Sequence, residues 1–255
     1  MIVWFRRSWP ILVVAGGCGL YLSQSGASTA TKVVIGVVCM VGLLLWKAVR
    51  NLRLHTTVNR LAALGQPDAM LDIIEPELAS SASAAVRLPF SVYKATALAL
   101  RGNWAEALDL LERVKPEGVR GAPGRTWRFL HANQRMICLC FVGRVDEAEA
   151  VLTDELEPFA VAVRSPATQV IVDEARARLA FFKERHDESK ERFSALLEDE
   201  RLVPSSRASY HYFLARIAEL SGSPDDQASA AKHRERAAKL APATFMGTPR
   251  PTQED

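Results

Sequence analysis

Cysteine is scarce in this chain, acidic residues are missing from its first fifty positions, and the common catalytic signatures do not occur. Four of the 255 residues are Cys. Cys18 and Cys39 lie in apolar runs, and Cys138 and Cys140 share one helical pattern. Residues two apart on a helix do not face each other, so that pair is badly placed to form a bridge or hold a metal. The pattern excludes a disulfide framework and leaves buried free thiols, suited to a reducing compartment. The five histidines, His55, His131, His186, His211 and His233, are scattered, and none has the i,i+4 spacing of a helical zinc site. No serine stands in a nucleophile elbow. The glycines from Gly118 to Gly124 lack the Gly-Lys-Ser/Thr ending of a phosphate-binding loop. Acidic residues such as Glu106, Asp109, Glu147, Glu149, Asp154 and Glu155 are read as solvating outer helix faces. A paired-carboxylate glycosidase in a helical barrel would need more hairpins than this chain has. We therefore assign no catalytic residue, cofactor or metal, and read the protein as a non-enzyme.

The charge is unevenly spread. The chain has 32 basic residues, of which five (Arg6, Arg7, Lys32, Lys47, Arg50) fall in positions 1–50, leaving 27 against 29 acidic residues in 51–255. The net +3 thus belongs to the N-terminal end, and the near-balance elsewhere argues against a nucleic-acid partner.

That N-terminal end carries two apolar runs, Ile11 to Leu22 and Val33 to Trp46, separated by Ser23–Ser28. A spanning helix wants about 20 residues. Extending the runs to 8–24 and 29–49, with Lys32 and Lys47 snorkelling and Trp9, Tyr21 and Trp46 at the interfaces, gives a transmembrane hairpin. A signal peptide, with Arg6 and Arg7 as its basic region, is the other reading of the first run; the second would still anchor the chain. For the hairpin, basic residues on both outer flanks place the large domain in the cytoplasm. The expectation is an integral membrane protein, of a bacterial inner membrane, with residues 1–50 in the bilayer.

From residue 51 onward the sequence is organised by recurrence. Gly102-Asn103-Trp104-Ala105-Glu106-Ala107 is echoed by Gly143-Arg144-Val145-Asp146-Glu147-Ala148, 41 positions on, and more weakly by Glu184–Ser189. Each stretch sits between two helical patterns, and a period of this size marks stacked helical hairpins. Related turns at Gly65 and Gly222 give spacings of 37, 41, 41 and 38. The expected units end near Pro76, run from Pro89 to Pro116, from Thr126 to Pro158, from Pro166, and from Pro204. The charged, Ala-rich last helix suits the uncovered end of a stack. Residues 51–242 form the repeat domain, and 243–255 read as a disordered tail.

Turn position and small-residue placement resemble the tetratricopeptide repeat family. The likeness rests on Gly102–Ala107 and Gly143–Ala148, on Ala95 and Ala177 in the first helices, and on Pro116, Pro158 and Pro242 as closing prolines. Met136 departs from the small first-helix position, and unit four substitutes Glu184 and Ser189. The resemblance implies an all-α fold, a right-handed superhelical stack of four to five hairpins behind the membrane segment. It also implies a concave face made by first helices. Projected onto these units it points to Thr96, Asn133, Glu174, Arg178, Tyr212 and Arg216 as binding residues. Arg178 and Arg216 would clamp a peptide carboxylate or acidic segment, with Tyr212 as an anchor. The plainer alternative pairs the two arginines with Glu174 and Glu219. Trp104 and Trp127 are read as packing residues. The implied function is a membrane-anchored scaffold or adaptor for a protein or peptide partner. Two alternatives stand beside it, an envelope biogenesis or secretion factor with its repeats outside the cytoplasm, and a structural membrane-complex subunit using its hairpin.

Overall fold

The computed structural model describes residues 26, 28–80, 84–119 and 121–247. All of the regular structure among them is helical. The first expected membrane segment, 8–24, lies outside the described residues, as does the tail beyond 247. Contacts divide the chain into two units, 1–57 and 58–255.

Helix α1 (Thr29–Ala63) starts in the first unit, where the second membrane segment was expected, and runs on past 49 in keeping with the helical character of the sequence after Trp46. Nothing breaks it before Gly65, since the stretch after Trp46 is rich in helix formers such as Lys47, Ala48, Arg50 and Leu52. It is the one described helix long and apolar enough to cross a membrane. Its Val33, Val34, Val38, Leu44 and Leu45 are each about 60% exposed, so its apolar surface is left open among the described residues.

The second unit is a succession of helix pairs. These are α2 (Pro67–Ser80) and α3 (Ala84–Leu100), then α4 (Trp104–Arg113), α5 (Gly121–Phe141), α6 (Val145–Val151), α7 (Glu157–Val163), α8 (Pro166–Phe182), α9 (His186–Leu197), α10 (Pro204–Ser221) and α11 (Pro224–Leu240). Consecutive helices from α2 onward pack together, except that α6 and α7 are joined through the turn between them, and α3 also packs on α5, and α5 on α8.

The recurrent turns share one geometry. The N–H of Gly102 donates to Ala99 O and that of Asn103 to Leu98 O, both at 2.9 Å. The same two bonds recur at Gly65 and Gln66, at Gly143 and Arg144, and at Glu184 and Arg185. This double closure satisfies carbonyls that a helix end leaves without partners. It demands a left-handed residue, supplied by Gly65, Gly102 and Gly143 and, against its preference, by Glu184 at φ 60°.

Five residues after each turn residue stand Met70, Ala107, Ala148 and Ser189, and all are buried. Seven residues before stand Val58, Ala95, Met136 and Ala177, buried to 0%. The two registers meet. Ser189 donates its hydroxyl to Ala177 O at 2.9 Å across the hairpin. Ala95, Ala107, Ala148 and Ala177 are therefore in helix packing, as the repeat register requires.

Several expected boundaries are corrected. Pro76 and Pro89 lie inside α2 and α3 instead of ending or starting a helix. The expected loop 118–124 is mostly helix, because α5 begins at Gly121. A Cβ on Gly124 would lie 2.3 Å from Val119 O, so glycine there permits the close crossing of the preceding strand of chain. Pro158 does not close the third unit. The five-residue π turn Leu152–Leu156 precedes it, and helix continues to Val163 before Arg164 turns left-handed. A π turn shifts the hydrogen-bond ladder and so absorbs the missing proline N–H. Residues 243–247 are not a free tail. Thr244 and Met246 are buried, because their side chains find cover against the helices.

Candidate functional site

The turn register aims one face of the first helices at a common cavity of about 130 Å³. Six residues before each turn stand Thr96, Ile137 and Arg178, and all three line it. Gln134, Glu174 and the serines 205, 206 and 209 complete the polar wall. Trp104, Phe141, Phe245 and Met246 make the apolar wall. The volume is close to that of the engineered apolar cavities of about 150 Å³ that hold a benzene, so it suits one side-chain-sized group.

Arg178 dominates the polar side. It is 7% exposed, and its Nη2 donates to the Glu174 carboxylate and to Ser209 Oγ at 3.2 Å. Its guanidinium carbon lies 5.9 Å from the Phe213 ring centroid, a cation–π distance. Nη1 has no hydrogen-bond partner among the described residues. Thr96 Oγ1 sits 3.0 Å from Val92 O and 3.1 Å from Gln134 Oε1, so its single proton is shared between them. Because Glu174 neutralises Arg178, the wall offers paired donors and acceptors with no net charge. Burial, with Glu174 as the next cause, holds the adjoining Tyr210 phenol well above its ordinary pKa, so it stays protonated.

On the apolar side the Trp104 and Phe141 rings stack at 3.8 Å with 4° between their planes. Phe245 meets both edge-on, at 4.9 and 5.7 Å, and Tyr212 at 5.1 Å. Trp127 packs edge-on against Tyr93 at 5.2 Å. Both tryptophans thus make ring packing contacts, and Trp104 also borders the cavity.

Of the six residues singled out from sequence, the structure brings Thr96, Glu174 and Arg178 together at this cavity. Tyr212 does not line it but buttresses Phe245. Asn133 is half-buried, its Oδ1 has no hydrogen-bond partner among the described residues, and it does not line the cavity. Arg216 stands apart, bonded to Glu219 at 3.2 Å, and Glu219 also takes Arg234 at 2.5 Å. Both arginines have the carboxylate partners of the plainer alternative, and they do not form one clamp. Ile137 occupies the register position of Thr96 and Arg178, but in the sequence it reads only as part of the apolar surface of its unit. Gln134, the three serines and the 245–246 pair carry no signal of their own in the sequence.

Two further groups meet only in space. His211 and His233, on consecutive helices, face each other Nδ1 to Nδ1 at 2.8 Å. Burial, with charge from His233, Arg236 and Arg207, brings the His211 pKa down to about 4. His233 is lowered as well, by burial and by Arg236 and Lys190. Cys138 and Cys140 are buried free thiols pushed up to about 12. Among the described residues no group of three or more His, Cys, Asp or Glu could hold a metal ion.

In comparison with known proteins, this chain matches no family model, no curated protein and no solved structure.

Proposed function

We propose that this chain is a membrane-anchored scaffold that binds a short segment of a partner protein on the face built by its first helices. The helix pairs would stack as tetratricopeptide-like hairpins in a right-handed superhelix, with that face as its concave side. One observation carries the binding reading. A short piece of chain already rests on this face, with the Phe245 N–H donating to Leu100 O at 2.8 Å and its ring among Trp104, Phe141 and Tyr212. A surface that accepts one such segment has the spacing, the aromatic slot and the polar cavity to accept another.

Anchoring is supported by the uncovered apolar surface of α1. Apolar area left in water is unfavourable by roughly 25 cal/mol per Å², and a bilayer removes it. Basic residues flanking the segment favour a cytoplasmic repeat domain, and for a bacterium the inner membrane. The neutralised Arg178 disfavours the acidic-peptide clamp expected from sequence and favours uncharged polar and aromatic groups.

Affinity co-purification in mild detergent tests this reading, using the full chain, a truncated chain starting at Leu52, and the double variant E174Q/R178M. The expected result is a partner held by the first two and lost from the third. A partner held only by the full chain would move recognition to the membrane segment. Digestion of the domain by protease added to intact cells would contradict the cytoplasmic placement.

A further inference from the structure

The segment Ala241–Gly247 is built in two parts. Ala241 and Thr244 are buried pins: Thr244 N–H and hydroxyl both donate to Ala241 O, at 3.2 and 2.7 Å, and Gly247 N–H donates to Thr244 O. Those bonds close two successive turns. The pins press on the first recurrent turn, where a Cβ on Gly65 would meet Ala241 Cβ at 3.0 Å. Phe245 and Met246 are the reaching part. Phe245 is only half-buried, and its N–H ties it to the stack through Leu100 O.

That bond is indifferent to sequence, because Leu100 is the last residue of α3 and its carbonyl accepts any peptide N–H. Selectivity resides in the ring slot and in the adjoining space filled by Met246 at the edge of the cavity. We infer that this slot is the partner's anchor point, and that Phe245 and Met246 are a stand-in occupant which the partner displaces. Resting on the binding reading above, this assigns the partner's chemistry. It is a turn-forming segment presenting an aromatic residue followed by a methionine-sized apolar one, joined through a main-chain N–H.

Self-occupancy sets a threshold. A tethered segment acts at an effective concentration of order 1 mM. For a free segment of about 10 μM intrinsic Kd, that competition weakens apparent binding by about 100-fold.

The test uses the full chain in detergent and a fluorescent peptide of residues 240–248, Leu-Ala-Pro-Ala-Thr-Phe-Met-Gly-Thr, read by anisotropy. The variant F245A/M246A should bind it about 100-fold more tightly than the unmodified chain, and a peptide with Phe replaced by Ala should lose at least about 10-fold. Equal binding to both proteins, or none to a folded variant, would overturn the inference. Should the variant not fold, hydrogen exchange of the unmodified chain decides. A Phe245 amide that exchanges at least about 100-fold faster than amides around Phe193 marks a displaceable strap. Exchange only through global unfolding marks a fixed part of the core and overturns the inference. A partner lost on E174Q/R178M but unmoved by F245A/M246A or by excess peptide would sink the strap and leave the binding reading standing. Strong peptide binding by F245A/M246A without any co-purified partner would do the reverse.

Discussion

Replacing Glu184 by glycine should stabilise the repeat domain. Glu184 closes the turn between α8 and α9 at φ 60°, in the same double hydrogen bond that glycines serve elsewhere. Its side chain is exposed. An L-residue held left-handed is disfavoured by about 1–2 kcal/mol, and the extra freedom of glycine in the unfolded chain offsets about 0.5–1 kcal/mol. The net gain is about 0.5–1 kcal/mol, or roughly 2–4 °C in Tm for each kcal/mol in a domain of this size. The reverse changes calibrate it. Gly143→Ala puts a methyl into open space and should lose only the backbone preference, about 1 kcal/mol. Gly102→Ala brings a Cβ to 3.3 Å from Phe245 Cβ and should lose more. Urea unfolding of the full chain in one detergent, followed by helical circular dichroism, reads all three. An E184G variant that is no more stable than the parent would refute the equivalence of the turns. So would a Gly143→Ala loss as large as that of Gly102→Ala.

Other perturbations probe the packing and the cavity. Arg178→Met alone should cost about 3 kcal/mol by stranding Glu174, whereas E174Q/R178M should cost clearly less, because breaking a buried pair is worse than replacing it; urea midpoints separate the two. Ala148→Leu should cost about 1–3 kcal/mol by overpacking the hairpin. Ser189→Ala loses about 1 kcal/mol with the bond to Ala177 O and nothing for fit, since alanine is the resident at sister positions 107 and 148. His211 and His233 have lowered pKa values in the folded protein, so as pH falls the unfolded chain takes up protons first. Stability should therefore fall as pH drops from about 6.5 toward about 4, and Tm profiles of His211→Gln should be flatter over that window. Cys138 and Cys140 should resist iodoacetamide at pH 8 in the folded protein and react after denaturation.

The hairpin order was legible in the sequence because turn chemistry is local. Glycine spacing and the alanines at 95, 107, 148 and 177 located the helix contacts without any structure. Proline was the less dependable signal. Pro166 and Pro204 start helices, where the missing N–H costs nothing, yet Pro76, Pro89 and Pro158 lie within helical runs. At Pro158 a π turn compensates, a five-residue detail that composition does not encode. Three of six site residues fall at the cavity because the register behind Thr96 and Arg178 holds through three units. It fails at Arg216, where the neighbouring Glu219 captures the side chain. The 245–246 strap and the His211–His233 pair were invisible for one reason. Each joins groups whose meeting depends on how the helices pack, and no local pattern marks either partner.

The central claim, recognition at the first-helix cavity, is tested most directly by site-specific photocrosslinking in native membranes. A small diazirine residue placed at Ser205, on the cavity wall, is compared with one at the exposed Ser194 of α9. The account predicts an adduct of defined mass from position 205 that is absent from position 194 and disappears in E174Q/R178M. Adducts of equal yield from both positions, or from position 194 alone, would contradict it.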